Sequence, residues 1–383
     1  MQIGVVDADL IGRKRHRFPN LCCMKISGYY KEKGHSVSLL TDYRYVDEYD
    51  KVFVSKVFTD TDVPEWVLNR GNVQYGGTGF FFDQAPDLPY EIEHHMPDYH
   101  LYDDFIDRLI RGGAKRSEFK WYLDYSIGYI TRGCFRKCEF CVNRKYDQAF
   151  EHSPLAEFLD ETRPKICLLD DNFFSHPHWK EFLTQLNETG KPFTFKQGLD
   201  ERLLTDEKCE MLCQAKYDGA ITFAFDNIAD YRMIEKKLKL IRLHTQKQFT
   251  FYVLVAFDRQ DEYGAAFWTQ DIVDTFERIK LLMQYKCVPY IMRFEQHKNS
   301  PFNGMYTTLA RWCNQPSFFK KLSFREFCHR TTDYGSQSAE NYMNEFERLH
   351  PEIAQKYFDM KFEKEANEWQ QQSFLDHPVQ AKL

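Results

Sequence analysis

Tyr129-Ile130-Thr131-Arg132-Gly133-Cys134-Phe135-Arg136-Lys137-Cys138-Glu139-Phe140-Cys141 grows out of a run, Ser126 to Thr131, that reads as a strand. It opens a regular series. Further strand candidates are Ile166–Leu169, Phe193–Lys196, Ala220–Phe225, Phe249–Phe257 and Val288–Arg293, with helical spacing in His178–Glu188, Thr205–Lys216, Ile228–Leu243 and Trp268–Tyr285 between them. Strands alternating with helices call for a parallel sheet. Six such strands within 125–299 fit an α/β fold of the partial (β/α)6 TIM-type barrel kind. A complete eightfold barrel takes about 250 residues. Chemistry in barrels of this kind sits at the C-terminal ends of the strands, where the cysteine stretch lies.

Three thiols within eight residues can converge on one face of an iron–sulfur cube. Three ligands, rather than four, leave one iron open to a substrate or cofactor. Arg132, Arg136 and Lys137 flank the thiols, and positive charge favours thiolates and offsets an anionic cluster. A zinc site is the competing reading. It needs a fourth donor, from His152, His176 or Cys167. The chain has 11 cysteines, an odd number that argues against a disulfide framework. Those outside the loop read as buried small hydrophobes. Cys209 and Cys213 lie i, i+4 on a helix; they are core or, with Cys313 or Cys328, ligands of an auxiliary cluster.

Upstream, Gln2–Val6, Ser36–Leu40, Lys51–Val57 and Val73–Tyr75 read as strands, and Cys22–Lys33 as a helix stopped by Gly34. Residues 1–95 therefore form a small Rossmann-like layer. Asp7 to Pro19 reads as a loop, and 96–124 as a linker ahead of the barrel at 125–299, carrying a helix and a basic turn over 100–120. Residues 300–383 read as a C-terminal helical tail. Composition bounds the partners. Lys+Arg 51 against Asp+Glu 57 leaves a net charge of −6, so no global basic field recruits nucleic acid. The longest apolar run falls well short of the roughly 20 residues that cross a bilayer, and no secretory leader is evident. The expected setting is cytoplasmic, away from membranes.

The CxxxCxxC with an aromatic before its last cysteine, set after the first strand of a βα series, resembles the radical S-adenosylmethionine (radical SAM) superfamily over roughly residues 120–300. The resemblance implies that Cys134, Cys138 and Cys141 hold a [4Fe-4S] cluster whose fourth iron is chelated by the methionyl group of S-adenosyl-L-methionine. Reductive cleavage would then yield a 5′-deoxyadenosyl radical that abstracts hydrogen from substrate. Phe140 falls at the position that meets the adenine; barrel core is its plain alternative. Asp170, Asp171 and Asn172 end the second strand, where relatives bind the methionyl ammonium; an Asx turn is the alternative. Gln197 ends the third strand, with Arg202 beyond it as a partner for a carboxylate or for Asp200. Asp226-Asn227 ends the fourth, where relatives bind ribose; a helix N-cap before Ile228 is the alternative. Arg293 and Glu295 end the sixth and could face substrate.

Residues 1–95 resemble a degenerate cobalamin-binding domain. Asp7-Ala8-Asp9-Leu10-Ile11-Gly12 stands where that family has DxHxxG, with Asp9 in place of the cobalt-ligating histidine, and Gly76-Gly77-Thr78 resembles its glycine turn. Cobalamin is thus a candidate cofactor without its usual ligand; a vestigial layer shaping the substrate entrance is the alternative. Arg13-Lys14-Arg15-His16-Arg17 is a basic loop, either solvated or a phosphate contact, and Tyr29-Tyr30 and Phe80-Phe81-Phe82 are stacking candidates or core. The reading is an enzyme with a one-electron reductant such as flavodoxin or ferredoxin as partner. Its substrate (small molecule, peptide or RNA) and its reaction (methylation, methylthiolation, epimerisation or ring rearrangement) stay open. The alternative is a zinc- or cluster-containing nucleic-acid-binding module without catalysis.

Overall fold

The computed structural model describes residues 1–363; the part of the expected tail at 364–383 lies outside them. The architecture is mixed α/β with parallel sheets, in two compact units, Met1–Gln197 and Gly198–Leu383. The division falls inside the stretch expected as one barrel, between its third and fourth strands.

In the first unit, β1 (Gln2–Asp7), α1 (Ala8–Gly12), α2 (Leu21–Glu32), β2 (Ser36–Leu40), β3 (Lys51–Ser55) and β4 (Val73–Gly76) build a parallel sheet of order β2-β1-β3-β4. Its register pairs Gln2 with Ser36 and Ile3 with Lys51. Strand alternation sends Ile3 and Val5 to one face, against Cys23, Met24 and Ile26 of α2, and Val6 to the other, against Val52, Val54 and Val67. Covering both faces is what a parallel sheet requires. The loop expected at Asp7–Pro19 begins instead as α1, because the Asp7 side chain accepts from the Leu10 N–H (3.2 Å) and caps a turn.

The stretch expected as a linker, 96–124, is packed. It carries α3 (Asp103–Arg111), and Tyr99, Tyr102, Ile106, Phe119 and Tyr122 are buried in the same core as α2. The Tyr99 hydroxyl accepts from Ile127 N–H (2.7 Å) and donates to the Phe158 carbonyl (2.6 Å). The buried Arg163 guanidinium donates to the carbonyls of Tyr99 (2.8 Å) and Tyr122 (2.6 Å). These bonds tie the stretch to β5 (Tyr125–Gly128), the first strand of the next sheet. After β5 come a short hairpin, β6 (Thr131–Arg132) with β7 (Phe150–Glu151), then β8 (Lys165–Leu168), α4 (Trp179–Glu188) and β9 (Phe193–Phe195). The sheet is parallel, in the order β5-β8-β9.

The second unit has α5 (Asp206–Gln214), β10 (Thr222–Ala224), α6 (Tyr231–Arg242), β11 (Phe249–Val255), α7 (Ala265–Gln284) and β12 (Cys287–Arg293), with parallel order β10-β11-β12. All six expected strands exist, as two three-stranded sheets. The buried Arg278 of α7 clamps this second sheet, donating to the carbonyls of Phe225 (3.1 Å), Asp226 (3.0 Å) and Leu254 (2.7 Å). The tail is helical through α8 (Asn303–Cys313), α9 (Phe324–Asp333), α10 (Ser338–Leu349) and α11 (Pro351–Tyr357). It packs on Trp312, Phe324, Phe346 and Phe358. Among the described residues no helix is long and apolar enough to cross a membrane.

Removing the Tyr99 hydroxyl tests the link between the packed stretch and β5. Tyr99→Phe should lower stability by about 1–3 kcal/mol in urea unfolding, because it strands a buried Phe158 carbonyl and the Ile127 N–H.

Candidate metal centre

The cysteine loop hangs from the C-terminal end of β5. The hairpin pairs Thr131 with Glu151 and Arg132 with Phe150, so residues 133–149 leave and return at one place. Gly133 sits at φ +87°, and a Cβ there would overlap the Gln148 carbonyl, so the closing of the two arms needs glycine. Within the loop, Cys141 N–H bonds the Cys138 carbonyl (3.0 Å). The Lys137 ammonium reaches the carbonyls of Arg144 (3.0 Å) and Tyr146 (2.6 Å) and the Asp147 carboxylate (2.6 Å), folding the far side of the loop onto itself.

The end of β8 anchors this loop. Asp170 is buried, and its carboxylate accepts from Thr131 N–H (2.7 Å), Thr131 Oγ1 (2.8 Å) and Ile130 N–H (3.2 Å). Burial pushes its carboxyl up to about 7 against those bonds. Asp171 accepts from Gly133 N–H on one side (2.7 Å) and from Asn143 Nδ2 on the other (2.7 Å), pinning both flanks of the three cysteines. Asn172 donates through Nδ2 to Cys134 Sγ (3.2 Å). The two carboxylates expected to meet an ammonium thus face the loop's own donors. They are positioning residues for the thiols.

All three thiols are half-buried, and no disulfide joins the described cysteines. Arg136 N–H points at Cys134 Sγ and Asn143 N–H at Cys141 Sγ, both at 3.4 Å. Burial first, and then the neighbouring Cys138, Asp171 and Cys134, push the Cys141 thiol up to about 11, against its bond from Asn143. The sulfurs therefore share one electrostatic neighbourhood. N–H groups aimed at sulfur are among the devices that set the potential of a cysteine-held cluster. Three thiols thus lie on one loop flanked by cations, with N–H groups aimed at Cys134 and Cys141.

Among the described residues no group of three or more His, Cys, Asp or Glu side chains is placed to hold a metal ion, and this includes the three loop cysteines. The donors that zinc would recruit are engaged elsewhere. His152 Nε2 faces Glu93 (3.2 Å) while its Nδ1 faces Ser153 Oγ (3.0 Å); His176 Nδ1 accepts from His178 N–H (3.2 Å); Cys167 is buried among Tyr125, Ile127 and Leu169. Cys209, Cys313 and Cys328 are likewise buried, and Cys213 half-buried.

Sequence reading missed a buried ionic network behind the loop. Glu93 Oε1 meets Lys25 Nζ (3.0 Å), His152 Nε2 (3.2 Å) and Arg132 Nη1 (3.7 Å). Burial works against its charge, yet His152, Lys25 and Arg132 together hold the Glu93 carboxyl down at about 2. The Arg132 guanidinium lies 4.9 Å over the Tyr129 ring, and His152 stacks on His94 at 5.1 Å. Glu93 and Arg132 are 39 positions apart in the chain, and no local motif announces the pairing.

Of the remaining candidates, Phe140 is half-buried within the cysteine loop and Gln197 is exposed at the end of the first unit. Arg202 and Asp226 belong to the second unit. Arg202 bonds Asp200 (2.7 Å) and Asp230 (3.0 Å), the ion-pair alternative, while Asp226 accepts from Leu254 N–H (3.2 Å) and burial pushes it up to about 6. Asn227 is the N-cap before Ile228, the helix-cap alternative expected at Asp226-Asn227. Beside Arg202 lies Glu201, which sequence reading passed over. It is 2% exposed, accepts from Ala224 N–H (3.2 Å), and burial pushes its carboxyl up to about 8.

The cobalamin resemblance fares poorly at its key residue. Asp9 is buried with both oxygens engaged, by Val57 N–H (2.7 Å), Phe58 N–H (3.4 Å) and Thr61 Oγ1 (2.5 Å). The glycine turn serves the protein's own backbone, since a Cβ on Gly77 would overlap the Lys56 carbonyl. These residues do not fit a lower cobalt ligand or a cofactor tail, and no chemistry is assigned to cobalamin.

Two outcomes follow for measurement. Asp171→Ala frees both flanks of the loop and should raise amide hydrogen exchange across 133–143, read by mass spectrometry. Glu201 keeps its proton in the folded state up to about 8 but releases it near 4.5 when unfolded. Its contribution is therefore present below the lower value and lost as pH rises to the upper one, by up to about 1.4 kcal/mol per pH unit. Glu201→Gln should flatten that decline in urea titrations at a series of pH values.

No protein-family model matches the chain, and no curated protein matches it.

Proposed function

We propose that the chain is a radical SAM enzyme in which Cys134, Cys138 and Cys141 hold a [4Fe-4S] cluster. The observation that carries this reading is the cysteine hairpin itself. Three half-buried thiols with spacing CxxxCxxC sit on a loop at the C-terminal end of a parallel strand, pinned at both flanks by Asp171. With this reading goes a partial (β/α)6 barrel, to which each three-stranded parallel sheet contributes strands. When bound, the cluster and S-adenosylmethionine supply the one-electron reductive cleavage that generates a hydrogen-abstracting radical.

The chain's own residues prepare that chemistry. Asn172 Nδ2 and the N–H groups of Arg136 and Asn143 point at thiol sulfurs, where they stabilise thiolate charge. Asp170 and Asp171 hold the loop against the end of β8, so the sulfurs do not move when charge changes. Arg132, at the base of the loop, is held by Glu93 and lies over the Tyr129 ring. Phe140 would provide an apolar wall for the adenine. In the same reading a flavodoxin or ferredoxin delivers the electron, and the enzyme works in the cytoplasm on a substrate still to be identified.

Anaerobic reconstitution with iron and sulfide tests it. The expected result is a brown protein with about four irons per chain that releases 5′-deoxyadenosine from S-adenosylmethionine under dithionite. Cys138→Ala should lose the iron and the product while its thermal melt stays unchanged. A chain that takes up zinc and no iron overturns the reading, as does a Cys138→Ala variant that unfolds, the mark of a structural metal.

A further inference from the structure

The C-terminal edge of the β2-β1-β3-β4 sheet carries cations and aromatic rings in alternation. The basic loop after α1 is ordered by its own contacts: Arg13 lies 4.2 Å over the Phe58 ring and pairs with Asp60, His16 meets Phe58 edge-on at 5.9 Å, and Arg17 Nη1 donates to the carbonyls of Lys14 (3.2 Å) and His16 (2.7 Å). Arg17 also approaches Glu118 (4.0 Å). Of the loop's four cations, Arg13 pairs with Asp60 and Arg17 approaches Glu118, which leaves Lys14 and Arg15. Both are exposed and have no ion-pair partner among the described residues.

The rings beside them are displayed rather than buried. Phe58 is 40% exposed, Tyr75 39% and Phe81 38%. Tyr75 and Phe81 are stacked at 5.9 Å with planes 6° apart. The turn that carries Phe80 and Phe81 is pressed onto the Phe58 segment, since a Cβ on Gly79 would come within 2.8 Å of the Phe58 carbonyl, and Lys56 Nζ sits 4.5 Å over Phe80. One surface therefore joins the basic loop to the stacked pair. The turn ends at Phe82, whose φ of +46° is costly for a residue with a side chain. By contrast, Tyr29 and Tyr30 are partly buried and pack against the core of α2.

We propose that this edge binds a single-stranded polynucleotide, with Lys14 and Arg15 on its phosphates and Phe58, Tyr75 and Phe81 stacking on its bases. Ring faces set among cations match that chemistry, because every base presents a π-face and every linkage a charge. A duplex hides its base faces and leaves the rings without a role. The inference stands apart from the cysteine site and holds whether or not a cluster binds there.

The test uses the full, iron-free chain and fluorescence anisotropy with short labelled oligouridylate and oligothymidylate strands, the matching duplex, and phosphatidylserine vesicles. Either single strand should bind, more weakly as salt rises. The double variant Lys14→Ala/Arg15→Ala should flatten the log–log salt slope by about 1.4, the share of two phosphate contacts. Phe81→Ala should weaken binding about tenfold with the slope unchanged. Thermal melts of both variants, matched to the parent, show that the fold is intact. Absence of salt-dependent binding to either strand, equal binding by the variants, or preference for duplex or vesicles overturns the proposal.

Discussion

Two neighbouring carboxylates, Asp170 and Asp171, hold the cysteine hairpin to the sheet. A loop of this length with three thiols has little to bury and would otherwise lose its geometry to chain entropy. Asp170 satisfies the N–H groups of Ile130 and Thr131 where β5 gives way to the hairpin. Asp171 then spans the loop from Gly133 to Asn143. Because a carboxylate accepts several bonds at once, one strand end fixes the entry and the exit of the loop together. The burial that raises both groups is the cost of placing them there.

Around that anchor the first unit is organised to leave the sulfurs partly accessible and their supports dry. Glu93, drawn in from the strap after the first sheet, neutralises charge from Lys25 and Arg132 in a region where any one of them alone would be expensive. Tyr99 and Arg163 do comparable work with backbone carbonyls around β5. The first sheet and the stretch after it therefore share the interior that carries the hairpin, rather than serving as a separate layer and a spacer.

Local pattern made much of this readable. Ser36–Leu40 is a strand at the expected bounds, and the helices expected at Cys22–Lys33 and His178–Glu188 lie within a residue of theirs, because period and caps are short-range properties. The loop expected after β1 became a helical turn through a single Asp7 cap. The helix expected within 100–120 is present as α3, but the burial of Tyr99, Ile106, Phe119 and Tyr122 depends on partners far along the chain, which no local pattern shows.

Sequence alone determined the elements, their alternation, and the three thiols on a strand-following loop, since each rests on residues a few positions apart. Tertiary structure decided what the polar groups do. Whether Asp170 meets a ligand or a backbone N–H, whether Asp9 is open or engaged, and that Glu93 stands behind Arg132 are matters of contacts spanning 38 to 52 positions. Such contacts carry no periodicity and no local propensity, so only the folded chain, by bringing a donor to each buried acceptor, assigns them.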